Sequence, residues 1–221
     1  MNFPAMTDNH KIIKVCGMRD SANIRQLSDS KIADWLGLIF YSRSPRFVSA
    51  PIHPLPRTLV KIGVFVNPSI DDVLRRVRDF GLNGIQLHGD ETPDFIRALK
   101  ARASKGLYFI KAFKLSSSDD VEKTKAYRES CDYFLFDTPC PQVGGSGRQF
   151  NWKLLKSYTG SVPFLLSGGI GPDSIPALAD FHHPKWAGID LNSRFESSPA
   201  MKDITSLTKF CKKFKELYPD E

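Results

Sequence analysis

Residues 62–87 read IGVFVNPSIDDVLRRVRDFGLNGIQL. The stretch opens on a short apolar, β-rich run, Ile62–Val66. A helix start follows, NPS and then an acidic pair, so Ile70–Phe80 reads as helical. A second apolar run, Gly84–Leu87, closes the unit. Strand, helix, strand in this order builds a parallel sheet.

The same alternation extends in both directions. Upstream stand the runs Ile12–Val15 and Leu36–Phe40; downstream stand Tyr108–Ala112, Tyr133–Phe136, Phe164–Leu166 and Ala187–Leu191. With the two above that makes eight. Helical segments are expected at Asp20–Lys31, Pro93–Lys100, Ser116–Glu129, Asn151–Ser157, Pro172–Asp180 and Asp203–Leu217. Thr92 is placed to cap the Pro93 helix, with proline at the first helical position. Eight strand–helix units predict a closed (β/α)8 TIM barrel, α/β in class, rather than an open sheet. The second unit is the exception. SRSPRFVSAPIHPLPRTL carries four prolines, and proline in a helix interior is costly, so helix 2 is expected to be short or irregular.

The bulk numbers agree with one domain over 1–221. The chain has 221 residues, 41% hydrophobic and 25% charged, and single α/β barrels reach that length. No apolar stretch is long enough for a membrane helix, and the first residues lack a signal core, so the expected setting is cytoplasmic. The net charge of +7 raises nucleic-acid binding. The lysines, however, are spread out or gathered in the amphipathic tail, so no nucleic-acid partner is expected; a mild positive field also suits an anionic small substrate. Cys16, Cys131, Cys140 and Cys211 are scattered with no C-x-x-C pair, which indicates neither a zinc site nor a disulfide framework.

Barrel chemistry sits at the C-terminal ends of the strands. Cys16, in IIKVCGMRD, ends the first run. Asp137, in YFLFDT, ends the sixth. Taken alone, a strand-end cysteine is more often inert packing, and an aspartate there is commonly a turn former. Their company changes the reading. KVCG (14–17), GLIFYSRSPRFV (37–48), VFVN (64–67), IQLHGDE (85–91), LFDT (135–138), GGSGRQFNW (144–152), SGGI (167–170), DLNSRFE (190–196) and KD (202–203) run in order along the chain. Together these motifs resemble the phosphoribosylanthranilate isomerase family of tryptophan biosynthesis.

The resemblance implies an Amadori rearrangement of N-(5'-phosphoribosyl)anthranilate to 1-(2-carboxyphenylamino)-1-deoxyribulose 5-phosphate, with no cofactor and no metal. It makes Cys16 the general base and Asp137 the general acid. A free thiol has a pKa of about 8.5, so Cys16 needs help to ionise. Lys14 lies two residues earlier on the same strand face and could supply positive charge. Asp137 has the opposite need: a setting that disfavours its ionised form, with which Phe134, Leu135 and Phe136 are consistent.

The substrate implied has two anionic ends. The resemblance assigns Arg46 to the anthranilate carboxylate, which a guanidinium can grip bidentately. The phosphate is expected beyond strands 7 and 8. There SGGI offers Gly168 and Gly169, whose backbone can present N–H donors at a helix start, and DLNSRFE offers Asn192, Ser193 and Arg194. Gly145, Ser146 and Gly147 are expected to form a cover after strand 6 that adds phosphate contacts. Gln86 and His88 alternate along strand 4 and face inward together, His88 for packing or positioning rather than proton transfer. Asp190 is read either as a ribose-hydroxyl partner or as a buried, satisfied carboxylate. Arg194 stands where many relatives carry a small residue, and F-N-W replaces the more usual F-D-W.

Rival readings are another phosphosugar aminoaldose isomerase on the same fold, which would be expected to carry aspartate in place of Cys16, and a non-catalytic barrel that binds a phosphorylated ligand. Oligomeric state, monomer or homodimer, is open.

Overall fold

A computed structural model describes residues 10–137 and 152–219. In chain order its elements begin with β1 (Ile12–Cys16), α1 (Ser21–Ser30), β2 (Trp35–Ile39) and β3 (Val60–Phe65). Next come α2 (Ile70–Phe80), β4 (Gly84–Leu87), α3 (Pro93–Arg102), β5 (Tyr108–Lys114) and α4 (Ser118–Lys123). Then follow β6 (Tyr133–Asp137), β7 (Phe164–Ser167), α5 (Ile175–Ala179) and β8 (Trp186–Leu191). A hairpin of β9 (Glu196–Ser198) and β10 (Met201–Lys202) precedes α6 (Ile204–Leu217). Strands β1 to β8 pair in sequence order and close on themselves as a parallel barrel, β8 returning to β1. This is the expected TIM barrel.

Side-chain caps begin the longer helices. Asp20, Ser69, Thr92 and Asp203 each accept a hydrogen bond from the backbone N–H three residues on, relieving the unpaired donors of the first turn. Three helices differ from expectation. The segment read as Ser116–Glu129 is α-helical only over α4 and continues as a 3-10 turn, Thr124–Tyr127. The Asn151–Ser157 helix is a 3-10 turn over Trp152–Ser157, Asn151 lying outside the described residues. Pro172–Asp180 is split into a 3-10 turn, Pro172–Ser174, and the short α5, because Pro176 allows only a fresh start there. No helix lies between β2 and β3, as the proline-rich stretch predicts.

Alternation along each strand sorts side chains into two cores. Ile12, Trp35, Ile62, Ile110, Leu135 and Leu165 fill the barrel interior. Their neighbours in sequence, such as Ile13, Leu36, Phe134, Phe136 and Phe164, pack outward under the helices. Trp35 stacks on Tyr108 at 5.7 Å and meets Tyr133 edge-on at 5.2 Å, sealing the end where strands begin. Polar residues before alternate strands pin the register there. Asp34, Asn83 and Asp132 accept from the backbone N–H of Ile13, Lys61 and Phe109. The interior thus stays apolar at one end and becomes polar at the other, where the strands finish. Among the described residues no helix is long and apolar enough to cross a membrane.

Candidate active site

At the C-terminal mouth a cavity of about 220 Å³ is lined from several strands at once. Cys16 from β1 and Asp137 from β6 both face it, with Gln86 and His88 from the fourth unit. Ser167, Gly168 and Gly169 border it after β7, and Asp190, Asn192, Ser193 and Arg194 after β8. The expected residues are therefore brought to one cavity, with two exceptions. Gly145, Ser146 and Gly147 lie outside the described residues, as does Cys140. Arg46 is at the rim but is engaged elsewhere, as described below.

Cys16 is buried. It pairs across the sheet with Gly37, and a Cβ added at Gly37 would stand 2.6 Å from its Sγ. The glycine in GLIFYS thus makes room for the thiol. Burial pushes the thiol pKa up; Lys14 opposes that shift through charge and a hydrogen bond, Asp190 adds to it, and Lys202 also opposes it. Lys14 is completely buried and donates to Asp190 Oδ1 at 2.9 Å. The two are register partners on β1 and β8. Burial alone would lower the ammonium pKa, but Asp190 and Cys16 together carry it above its ordinary value. Lys14 therefore remains a cation beside the thiol. Asp190 is both a satisfied buried carboxylate and part of the cavity wall.

Asp137 differs from expectation in its surroundings. Phe134 and Phe136 point outward into the helix-facing core, and the Asp137 side chain is 30% exposed. Only Leu135, one inward step below, supplies apolar surface from its own strand. His88 Nε2 stands 3.6 Å from Asp137 Oδ2. His88 Nδ1 in turn meets Gln86 Nε2 at 3.0 Å. Gln86 is buried, and among the described residues its Oε1 has no partner.

Gly168 and Gly169 adopt left-handed backbone, φ 89° and 65°, a region that glycine enters without steric cost. No helix starts at them directly; the 3-10 turn begins at Pro172. Arg194 is exposed and borders the same side of the cavity as these glycines.

Arg46 lies over the end of β1, since a Cβ at Gly17 would stand 2.6 Å from Arg46 Cδ and 2.8 Å from Asn192 Oδ1. Its guanidinium is held by Glu196: Nε donates to Oε1 at 2.8 Å and to Oε2 at 3.1 Å, and Nη2 donates to Oε2. Glu196 also accepts from Lys202 Nζ at 2.6 Å, and Lys202 donates to Asn192 Oδ1 at 2.8 Å. The residue-by-residue reading of the sequence assigned no role to Glu196, Lys202 or Ser167. Glu196 and Lys202 stand within quoted motifs, DLNSRFE and KD, and that was the available signal.

A parallel eight-stranded barrel with a thiol and a carboxyl group lining one rim cavity defines the class: a (β/α)8-barrel enzyme equipped for acid–base chemistry. The chain belongs to the N-(5'-phosphoribosyl)anthranilate isomerase family, whose model matches residues 13–213. It is 49% identical over 205 residues to the N-(5'-phosphoribosyl)anthranilate isomerase of Phocaeicola vulgatus, covering 93% of this chain and 98% of that one. It is 45% identical over 210 residues to that of Parabacteroides distasonis, covering 90% and 91%. Among solved structures, it matches a phosphoribosyl anthranilate isomerase in complex with reduced 1-(o-carboxyphenylamino)-1-deoxyribulose 5-phosphate. There the TM-score is 0.78 at 29% identity, over 93% of this chain and 99% of that one. The Thermotoga maritima isomerase matches equally well in fold, TM-score 0.78 at 30% identity, with the same coverage.

Proposed function

We propose that the rim cavity rearranges N-(5'-phosphoribosyl)anthranilate to 1-(2-carboxyphenylamino)-1-deoxyribulose 5-phosphate, with Cys16 as base and Asp137 as acid. The observation that carries this reading is that both side chains line one cavity at the strand ends. In the first step the Asp137 carboxyl gives its proton to the furanose ring oxygen. The bond from C1' to that oxygen breaks and the anthranilate nitrogen becomes a protonated Schiff base. In the second step the Cys16 thiolate takes the proton from C2', and the electron pair moves into a C1'–C2' double bond, giving the enolamine. Proton return to C1' and loss of the hydroxyl proton at C2' yield the ketone. The chemistry is internally redox-balanced.

Each neighbour has a task in this scheme. Lys14 supports the thiolate, offsetting the burial that disfavours it. His88 stands beside the Asp137 carboxyl, and Gln86 fixes the imidazole. Gly168, Gly169, Ser193 and Arg194 receive the phosphate on the β7–β8 side, with Asn192 beside them. Asp190 borders the ribose. Arg46 takes the carboxylate at the β2 side. Around the rim the order is β7, β8, β1, β2, so a substrate stretched between the two anionic ends passes over Cys16. We read the chain as one barrel domain over 1–221. It acts in the cytoplasm on a phosphorylated small molecule as monomer or homodimer, without nucleic acid, membrane or cofactor. Incubation with freshly made phosphoribosylanthranilate tests this: fluorescence of the anthranilate should be lost with wild type, and persistence in a folded sample would refute it.

A further inference from the structure

The hairpin after β8 has no counterpart in the strand–helix alternation, and it sets up the ion chain at the rim. Glu196 and Lys202 are register partners across its two short strands. The backbone of Lys202 is clasped by a buried amide: its N–H donates to Asn23 Oδ1 at 2.8 Å, and Asn23 Nδ2 donates to its carbonyl at 2.9 Å. The turn is closed by Ala200, in left-handed backbone at φ 70°, whose N–H donates to Glu196 Oε1 at 3.1 Å. The Glu196 and Lys202 side chains are 5% and 0% exposed. Both are therefore fixed by the fold before any ligand arrives.

We propose that Glu196 is a positioning residue that aims Arg46 at the substrate's carboxylate, with Lys202 neutralising it. The proposal rests on the reading of Arg46 given above. A guanidinium has two edges that match a carboxylate. Glu196 takes the Nε–Nη2 edge. Among the described residues no hydrogen bond engages Nη1, and the Arg46 side chain is still 19% exposed. The outer edge, Nη1 with the second Nη2 proton, is thus left for an incoming carboxylate.

Charge explains why Lys202 is needed. A glutamate beside Arg46 would by itself cancel the attraction for an anionic ligand. Lys202, 2.6 Å from Glu196, restores one net positive charge to the trio. Glu196 can then fix the direction of Arg46 without repelling what Arg46 binds. The long, flexible arginine stem would otherwise have to be ordered by the ligand itself, which weakens binding.

The test compares Glu196→Gln, Arg46→Ala and the double variant. Two readouts are used: KM and kcat for phosphoribosylanthranilate, and inhibition by ribose 5-phosphate, which has the phosphate but no carboxylate. Glu196→Gln should raise KM about tenfold, by analogy with the loss of an outer-shell partner that orients a metal ligand. It should leave kcat within about twofold and the ribose 5-phosphate constant unchanged. The double variant should bind no worse than Arg46→Ala, because residues acting as a unit are non-additive. A flat KM in Glu196→Gln with a raised KM in Arg46→Ala would overturn the proposal and spare the Arg46 reading. A flat KM in Arg46→Ala would overturn both. Equal weakening toward both ligands, or additive losses, would reduce Glu196 to a structural role and also overturn it. Where Glu196→Gln fails to fold, Glu196→Asp, which keeps the charge and shortens the reach, is read the same way.

Discussion

Lys14→Met removes a buried cation while nearly keeping its volume, and two consequences can be separated. The first concerns stability. Lys14 is completely buried and its partner Asp190 nearly so, so the substitution strands a carboxylate inside the barrel. Breaking such a pair costs about 3–5 kcal/mol. The second consequence concerns the thiol. Burial already raises the Cys16 pKa and Lys14 works against that, so its loss raises the pKa further. The base must be thiolate, so the acidic limb of kcat/KM should move to higher pH and activity should recover in alkali. Iodoacetamide alkylation against pH reads the thiol directly. It is best done in a Cys140→Ser background, since burial holds Cys131 and Cys211 up at about 12. Adding Asp190→Asn should return most of the stability. The thiol should stay raised in part, because Lys14 acts on it more strongly than Asp190. An alkylation profile unchanged in Lys14→Met would refute the account of how Cys16 is activated.

Two further outcomes are expected. Cys131 and Cys211, with pKa values raised to about 12 in the fold, stay protonated while unfolded thiols ionise near about 8.5. A folded pKa above the unfolded one gives stability that is intact below pH 8.5 and lost as pH rises toward 12. The loss is about 1.4 kcal/mol per pH unit for each thiol. Urea midpoints from pH 8 to 11 check this, and a slope that is unchanged in Cys211→Ala would count against it. Gly37→Ala should displace the Cys16 thiol, because its Cβ would stand 2.6 Å from Sγ and 2.9 Å from Cys16 Cα. Turnover should fall much more than melting temperature, and wild-type turnover would show that the thiol's position is not critical.

What the sequence made legible follows from locality. Strands of a parallel barrel are buried on both faces and read as continuous apolar runs, so all eight stand where IGVFV, YFLFD and their kin predict, within a residue or two. The missing second helix was legible for a local reason as well, its prolines. Helix α4 stops at Lys123, short of the expected Glu129, because an acidic start says where a helix begins while tertiary packing decides where it stops; α5 begins only at Ile175, after the 3-10 turn that Pro172 opens. At the site, Cys16 and Asp137 could be placed because a strand end is a local feature. Their supports could not. Lys14 meets Asp190 across 176 residues of sequence, and Arg46 meets Glu196 across 150. Alternation can tell which face of a strand a side chain takes, but the partner depends on which strands the closed barrel makes neighbours. The apolar surroundings expected of Asp137 failed for a related reason: adjacent phenylalanines on a strand point the opposite way, outward.

The central claim is that Cys16 and Asp137 act as a base and acid pair on one substrate. It is tested most directly by single-turnover reaction of phosphoribosylanthranilate with wild type, Cys16→Ala and Asp137→Asn, each confirmed folded by circular dichroism. Fast conversion by wild type and none by either variant is the predicted result. Near-wild-type conversion by either variant would contradict the account.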